Sequence, residues 1–179
     1  MIFPNRRFPT TRLRRNRKHR FLRKLVQESS LCSSDLIQPI FIVAGRNKKE
    51  AIKTMPGIFR LSIDLAVDKT LHLHKLGIPA VALFPVIKDE KKTTDGLEAL
   101  NPNGLIQKAV KEIKDAVPEI GIITDVALDP YTSHGHDGVL SRSGEILNDE
   151  TVEILQKQSL SLALAGADIL APSDMMDGR

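Results

Sequence analysis

The sequence predicts an α/β fold, the first half of a (β/α)8 TIM barrel of about four βα units, preceded by an extended basic arm. Three observations carry this. Four short apolar runs alternate with segments of helical period, the pattern of right-handed βαβ units around a parallel sheet. The third and fourth runs each end in a loop crowded with acidic and hydroxyl groups, and neighbouring parallel strands bring such loops to one face. The chain has 179 residues, whereas eight units need about 200 to 250. A complete four-stranded doubly wound domain is the competing fold; the stop after Asp177-Gly178-Arg179 disfavours it. Half a barrel leaves strand edges and a core face to be covered by another chain.

The arm spans residues 1–30 with its short helix, and the partial barrel spans 31–179. Formal charge is +4, but residues 1–27 hold eight Arg and two Lys with no acid, so the remainder carries 16 basic and 22 acidic side chains, about −6. A basic arm on an acidic body suits nucleic acid, a transit-like segment or an acidic neighbouring subunit. Aromatics at 4% with no Trp leave few platforms for stacking bases, which argues against nucleic acid. No apolar run approaches the roughly 20 residues that span a bilayer, and the arginine-rich start lacks the apolar core of a secretory signal. The chain reads as cytosolic. A single cysteine, Cys32, excludes an internal disulfide and a cysteine-only zinc site.

In chain order, Met1 to Arg17 carries Pro4 and Pro9 and sets arginines between isolated Phe3, Phe8 and Leu13, an extended arm in need of a partner surface. His19 to Glu28 has apolar residues at helical spacing. Leu36 to Val43 is the first strand, with Pro39 as a missing ladder donor. Met55 to Ser62 forms a turn ending in an N-cap for the helix Ile63–Leu76, which stops at Gly77. His72 and His74 lie two apart on that helix and so face different ways. Ile78 to Phe84 is the second strand, followed by the charged loop Lys88 to Lys92. A helix from about Asn103 to Val117 shows Leu105, Ala109 and Ile113 on one face and closes at Pro118. Ile120 to Val126 is the third strand. Asn148 caps a helix bearing Val152, Leu155, Ser159 and Leu162, Gly166 ends it, and Ala167 to Ala171 is the fourth strand.

The third strand runs into Asp125-Val-Ala-Leu-Asp129-Pro-Tyr-Thr-Ser-His134-Gly-His136-Asp137-Gly138, the chemically densest stretch of the chain. Three carboxylates and two imidazoles at a strand end suit a cation or acid/base chemistry; the same residues also stock an ordinary polar turn. After the fourth strand come Ser173, Asp174 and Asp177.

These two segments, Asp125 to Gly138 and Ala171-Pro-Ser-Asp-Met-Met-Asp-Gly-Arg179, closely resemble the signatures of the porphobilinogen synthase family, also called δ-aminolevulinic acid dehydratase. The resemblance extends to Arg12-Leu-Arg-Arg-Asn16, Ile37-Gln-Pro-Ile-Phe41, Met55 to Ser62 and Leu83-Phe-Pro85, all counterparts of the family's first half. It implies a (β/α)8 barrel that condenses two molecules of 5-aminolevulinate into porphobilinogen in the tetrapyrrole pathway to haem. Zinc-using members place three cysteines where this sequence has Ala127, Asp129 and Asp137. Carboxylates suit hard cations, so the resemblance implies the aspartate-type branch with Mg²⁺ at Asp129 and Asp137 and no cysteine-type zinc site. It further implies Asp125, Asp129 and Ser173 as catalytic positions, Ser173 and Asp174 as substrate-binding positions, and a homo-oligomer held by the N-terminal arm. The family's two Schiff-base lysines lie beyond Arg179, so the chain is expected to be an inactive N-terminal piece; the rival expectation is a non-catalytic relic or association module using the basic arm.

Overall fold

A computed structural model describes residues 7–179; Phe3 and Pro4 of the expected arm lie outside them. Contacts divide the chain into two units, Met1–Cys32 and Ser33–Arg179. In the first, the expected extended arm contains a 3-10 turn, Arg14–Arg17, ahead of α1, Arg20–Leu25, and neither element buries a residue. Phe8 is 97% and Leu25 76% exposed. A helix as short as α1 has no intrinsic stability in water, because nucleation outweighs so few propagating bonds.

The second unit is built on a six-stranded sheet. Its strands are β1 (Ile37–Val43), β2 (Lys49–Ala51), β3 (Phe59–Leu61), β4 (Ala80–Val86), β5 (Gly121–Val126) and β6 (Ile169–Pro172), in the order β2-β3-β1-β4-β5-β6. β1, β4, β5 and β6 are mutually parallel, and the crossovers carry α2 (Ile63–Lys75), α3 (Leu105–Ala116) and α4 (Asn148–Ala165). β2 and β3 form an antiparallel hairpin inside the first crossover. The segment Met55 to Ser62, expected as a turn, thus contains β3. Ser62 precedes α2 in extended conformation but does not cap it; its hydroxyl bonds the backbone N–H and C=O of Lys48 instead. β3 meets β1 only at Phe41 and Ile42. At Pro39, therefore, β1 has β4 as its one strand neighbour, and a missing donor is tolerated.

The direction of winding separates the two candidate folds. Ile40 and Ile42, Val81 and Leu83, and Ile122 and Val126 alternate along their strands and join one core with Ala66, Leu73, Ala109, Ile113, Leu155 and Leu162 of the helices. All three crossover helices cover that face. The opposite face, where Phe41 is level with Phe84 and Asp125 with Ala171, carries half-buried side chains and none of these three helices. A doubly wound domain has helices on both faces; this sheet is singly wound, as in a barrel.

Burial explains the helices' registers. α3 buries Ile106, Ala109, Val110 and Ile113, one apolar stripe. The stripe of α4 is Thr151, Leu155, Gln158, Leu162 and Ala165, with Val152 and Ser159 only flanking it. Gly166 ends α4 at φ +107°, a conformation that side chains with a Cβ resist, and its N–H reaches Ala163 O. Among the described residues no helix is long and apolar enough to cross a membrane.

Candidate functional site

Because four strands run parallel, their carboxyl ends meet on one side of the sheet, and the acidic loops rise from the two at the edge. Asp125 is the penultimate residue of β5, on the face opposite the crossover helices, level with Ala171 of β6. Ser173, two residues further on, returns to the same face. Its hydroxyl donates to Asp125 Oδ1 at 2.5 Å, joining residues 48 apart in sequence.

The β5 loop is held from below and from the side. Leu128 and Tyr131 are buried under it. Gln158 of α4, fully buried, donates Nε2 to Ala127 O at 3.1 Å. Thr132 Oγ1 donates to His136 O at 2.9 Å. The preceding loop docks alongside: Thr93 N donates to Tyr131 O, and Ser133 N to Thr93 O. His134 Nε2 lies 3.0 Å from Thr94 O, while its Nδ1 accepts the His136 N–H; His136 Nδ1 accepts the Gly138 N–H. Both histidines therefore spend a ring nitrogen on shaping the turn. His72 and His74 are exposed on α2, far from any such role.

The site's electrostatics come from this packing. Burial raises the Asp125 carboxyl above the usual range, the Ser173 bond opposes it, and the charges of Asp137 and Asp174 add to the rise. Asp129 reaches solvent by area, yet partial desolvation raises its carboxyl as well, followed by Asp137 and Asp125. Burial, reinforced by Asp125, pushes the Tyr131 phenol far up. No ion pair reaches Asp125, Asp129 or Asp137 among the described residues. An uncompensated cluster of this kind favours an ammonium group or a divalent cation and holds protons more tightly than ordinary carboxylates.

Asp174 differs from its neighbours. It is 3% exposed, and Oδ1 accepts the Met176 N–H at 2.8 Å. Oδ2 lies 3.2 Å from Arg179 Nε, close enough for ion pairing without hydrogen-bond alignment. The carboxylate is thus engaged within its own loop. For a metal, Asp129 and Asp137 face one cluster, but among the described residues no set of three or more His, Cys, Asp or Glu side chains converges as a cage. Mg²⁺ tolerates this, since it keeps several waters and takes one or two carboxylates.

Sequence reasoning missed Tyr131, Gln158 and the true role of Asn148. Asn148 starts α4 without capping it; its Nδ2 donates to Asp177 O at 3.0 Å, and its Oδ1 accepts the Asp177 N–H at 2.8 Å. Helical phase would have turned Gln158 inward with Leu155 and Leu162, which is a usable signal for a buried amide.

A family model described as Delta-aminolevulinic acid dehydratase matches residues 10–179. The chain is 54% identical over 168 residues to the delta-aminolevulinic acid dehydratase of Bradyrhizobium diazoefficiens, covering 94% of this chain and 47% of that protein. It is 48% identical to that of Chlamydia pneumoniae, covering 94% and 50%. In structure it is similar to the delta-aminolevulinic acid dehydratase (porphobilinogen synthase) of Toxoplasma gondii ME49, solved in complex with the reaction product porphobilinogen. The TM-score is 0.91 at 46% identity, over 94% of this chain and 48% of that one. The chain spans about half the length of the curated relatives it matches.

Proposed function

The chain belongs to the delta-aminolevulinic acid dehydratase family, and from that premise we propose that it supplies the acidic side of an active site condensing two molecules of 5-aminolevulinate into porphobilinogen with loss of water, a hydro-lyase step of haem biosynthesis. The observation that carries this reading is the Ser173–Asp125 pair at adjacent strand ends, beside Asp129 and Asp137, with no ion pair to Asp125, Asp129 or Asp137 among the described residues. The ammonium of an amino-keto acid suits that charge. Asp125, its carboxyl raised by burial, keeps a proton to higher pH than a solvated acid and can exchange it with substrate; Asp129 stands ready for the same duty. Ser173 orients substrate by its hydroxyl, and Asp174 serves substrate binding through the loop it fixes. Proton transfer of this kind contributes about 10²- to 10⁴-fold. Imine formation needs a neutral lysine amine, and the family's two lysines correspond to positions beyond Arg179. Asp129 and Asp137 would hold Mg²⁺, which when bound offsets their charge.

The reading includes a cytosolic homo-oligomer in which the arm lies on a neighbouring subunit. Its support is the arm's exposed apolar anchors, Phe8, Leu13 and Phe21, set among arginines. The test joins residues 1–179 to the second half of the Bradyrhizobium relative. Such a chimera is expected to make porphobilinogen, and S173A or D125N to lower turnover by about 10²-fold or more. A folded chimera without turnover would overturn the proposal.

A further inference from the structure

We propose that Asn148 is a positioning residue that sets the Ser173–Asp125 pair by gripping the loop after β6; its functional meaning rests on the proposed function. Ser173 has little anchorage of its own. Its hydroxyl side is exposed, and its N–H reaches Val126 O only at 3.4 Å, the long end of hydrogen bonding. β6 holds it on the N-terminal side through Pro172, level with Val126, and on the other side its position depends on the residues C-terminal to it. Four positions on, Asp177 is gripped in both directions, donating its N–H to Asn148 Oδ1 at 2.8 Å and accepting from Nδ2 at 3.0 Å. Only an amide carries a donor and an acceptor on one short planar arm; aspartate lacks the donor.

Between grip and serine the loop has two anchors of its own. Asp174 Oδ1 accepts the Met176 N–H. Met176 is buried to 3% exposure, its thioether so close to Gly138 that a Cβ there would meet Met176 Cε at 3.1 Å. The first turn of α4 is itself fixed to the β5 loop, since Thr151 Oγ1 accepts the Val139 N–H at 3.0 Å. One helix start therefore references both loops, while Asp125 itself is fixed within β5 by its pairing with β6.

The test compares this chain with N148A, N148D and a control, Lys114→Met, which weakens the fold at the opposite ends of the strands. Amide exchange is read at Asp177, and carbon-detected NMR follows the Asp125 carboxyl across pH. In N148A the Asp177 amide is expected to exchange about tenfold faster or more. Asp125 is expected to titrate at higher pH, because a loosened Ser173 no longer opposes its rise. N148D, keeping the acceptor, is expected to retain protection of the Asp177 N–H while still shifting Asp125. K114M lowers thermal stability and leaves Asp125 where it was, which separates positioning from mere stability. An open-chain exchange rate at Asp177 in the unsubstituted chain, or an unmoved Asp125 in folded N148A or N148D, would overturn the proposal; the first of these needs no variant to fold. Neither readout depends on turnover, so an inactive chimera would remove the functional reading and leave this one standing.

Discussion

Asp168→Asn tests the lock beneath the site. Asp168 enters β6 with its N–H donated to Ile122 O at 3.0 Å, and its Oδ2 accepts the Ile122 N–H at 2.7 Å. The same oxygen lies 2.6 Å from Lys114 Nζ, which also donates to Ile120 O at 3.0 Å. One carboxylate thus ties the starts of β5 and β6 to the end of α3. Asparagine keeps an acceptor for Ile122 and loses the charge. A charge-assisted bond contributes about 1.5–3 kcal/mol against about 1 for a neutral one. The Asp168 side chain is 43% exposed, so its ion pair is screened and adds at most about 1 kcal/mol. The net loss is about 1–2 kcal/mol, or roughly 3–6 °C in Tm for a chain of this size. The sign with pH is fixed by the carboxyl's being held below its usual range through Lys114 and Ile122, in spite of partial desolvation. Its contribution is present above the unfolded carboxyl's titration and is lost as pH falls through the lowered folded one. Thermal melts at about pH 7 should separate the two proteins, and the gap should close as pH falls below the usual carboxylate range. Equal stability at neutral pH, or a gap that persists undiminished in acid, would mean that the carboxylate is not the lock.

Gly104→Ala should destabilise by about 1–3 kcal/mol, because a Cβ would meet Asn101 O at 2.9 Å and Gln107 Oε1 at 2.5 Å, and Gln107 is held in the core by Ala99 O and Ser161; an unchanged melt would count against it. Calorimetric titration with Mg²⁺ should give weak binding that D129N or D137N removes, and zinc should bind no tighter than to a generic carboxylate site. Tight zinc binding that survives loss of both His134 and His136 would contradict the aspartate-type assignment. Borohydride reduction of this 179-residue chain with 5-aminolevulinate should trap no adduct, since Lys91 is paired with Glu98 and Lys92 with Asp89. An adduct on Lys88, Lys91 or Lys92 would show that the amine chemistry had been misplaced.

The parallel strands and their helices were legible because each depends on a local period: β1, β4, β5 and β6 fall within the expected apolar runs to within two or three residues. The β2–β3 hairpin was not. Its first strand, Lys49-Glu50-Ala51, is wholly exposed and has no alternation to read. Its support is remote: Asn47 N donates to Asp64 Oδ2 at 2.8 Å, and Lys48 N to Ser62 Oγ at 2.9 Å. The acidic cluster was legible as composition, but not the shift of Asp125, which comes from burial and from Ser173 on another strand.

Ser62 and Asn148 show why such misses recur. Both stand at the start of a helix, where a short polar side chain ordinarily accepts from an amide two or three residues on, and the sequence offers no reason to expect otherwise. A side chain of that length can satisfy the helix or a neighbour brought close by the fold, and the two uses have the same local signature. At Ser62 the neighbour is the backbone of Lys48 in the hairpin; at Asn148 it is the backbone of Asp177 in the loop after β6. At Ser62, the N-cap of α2, the helix start gives up its own side-chain cap, a concession of about 1 kcal/mol by the usual cost of losing such a residue; α4 opens behind Leu147 with no side-chain cap either. The released hydrogen bonds go to loops at the carboxyl ends of the strands, where backbone is otherwise least supported. The cap positions are therefore where helix stability is exchanged for loop definition, and in a singly wound sheet every crossover helix begins next to such a loop. A polar residue opening a helix just after a strand-end loop should be tested for a partner across the sheet before it is assigned to the helix.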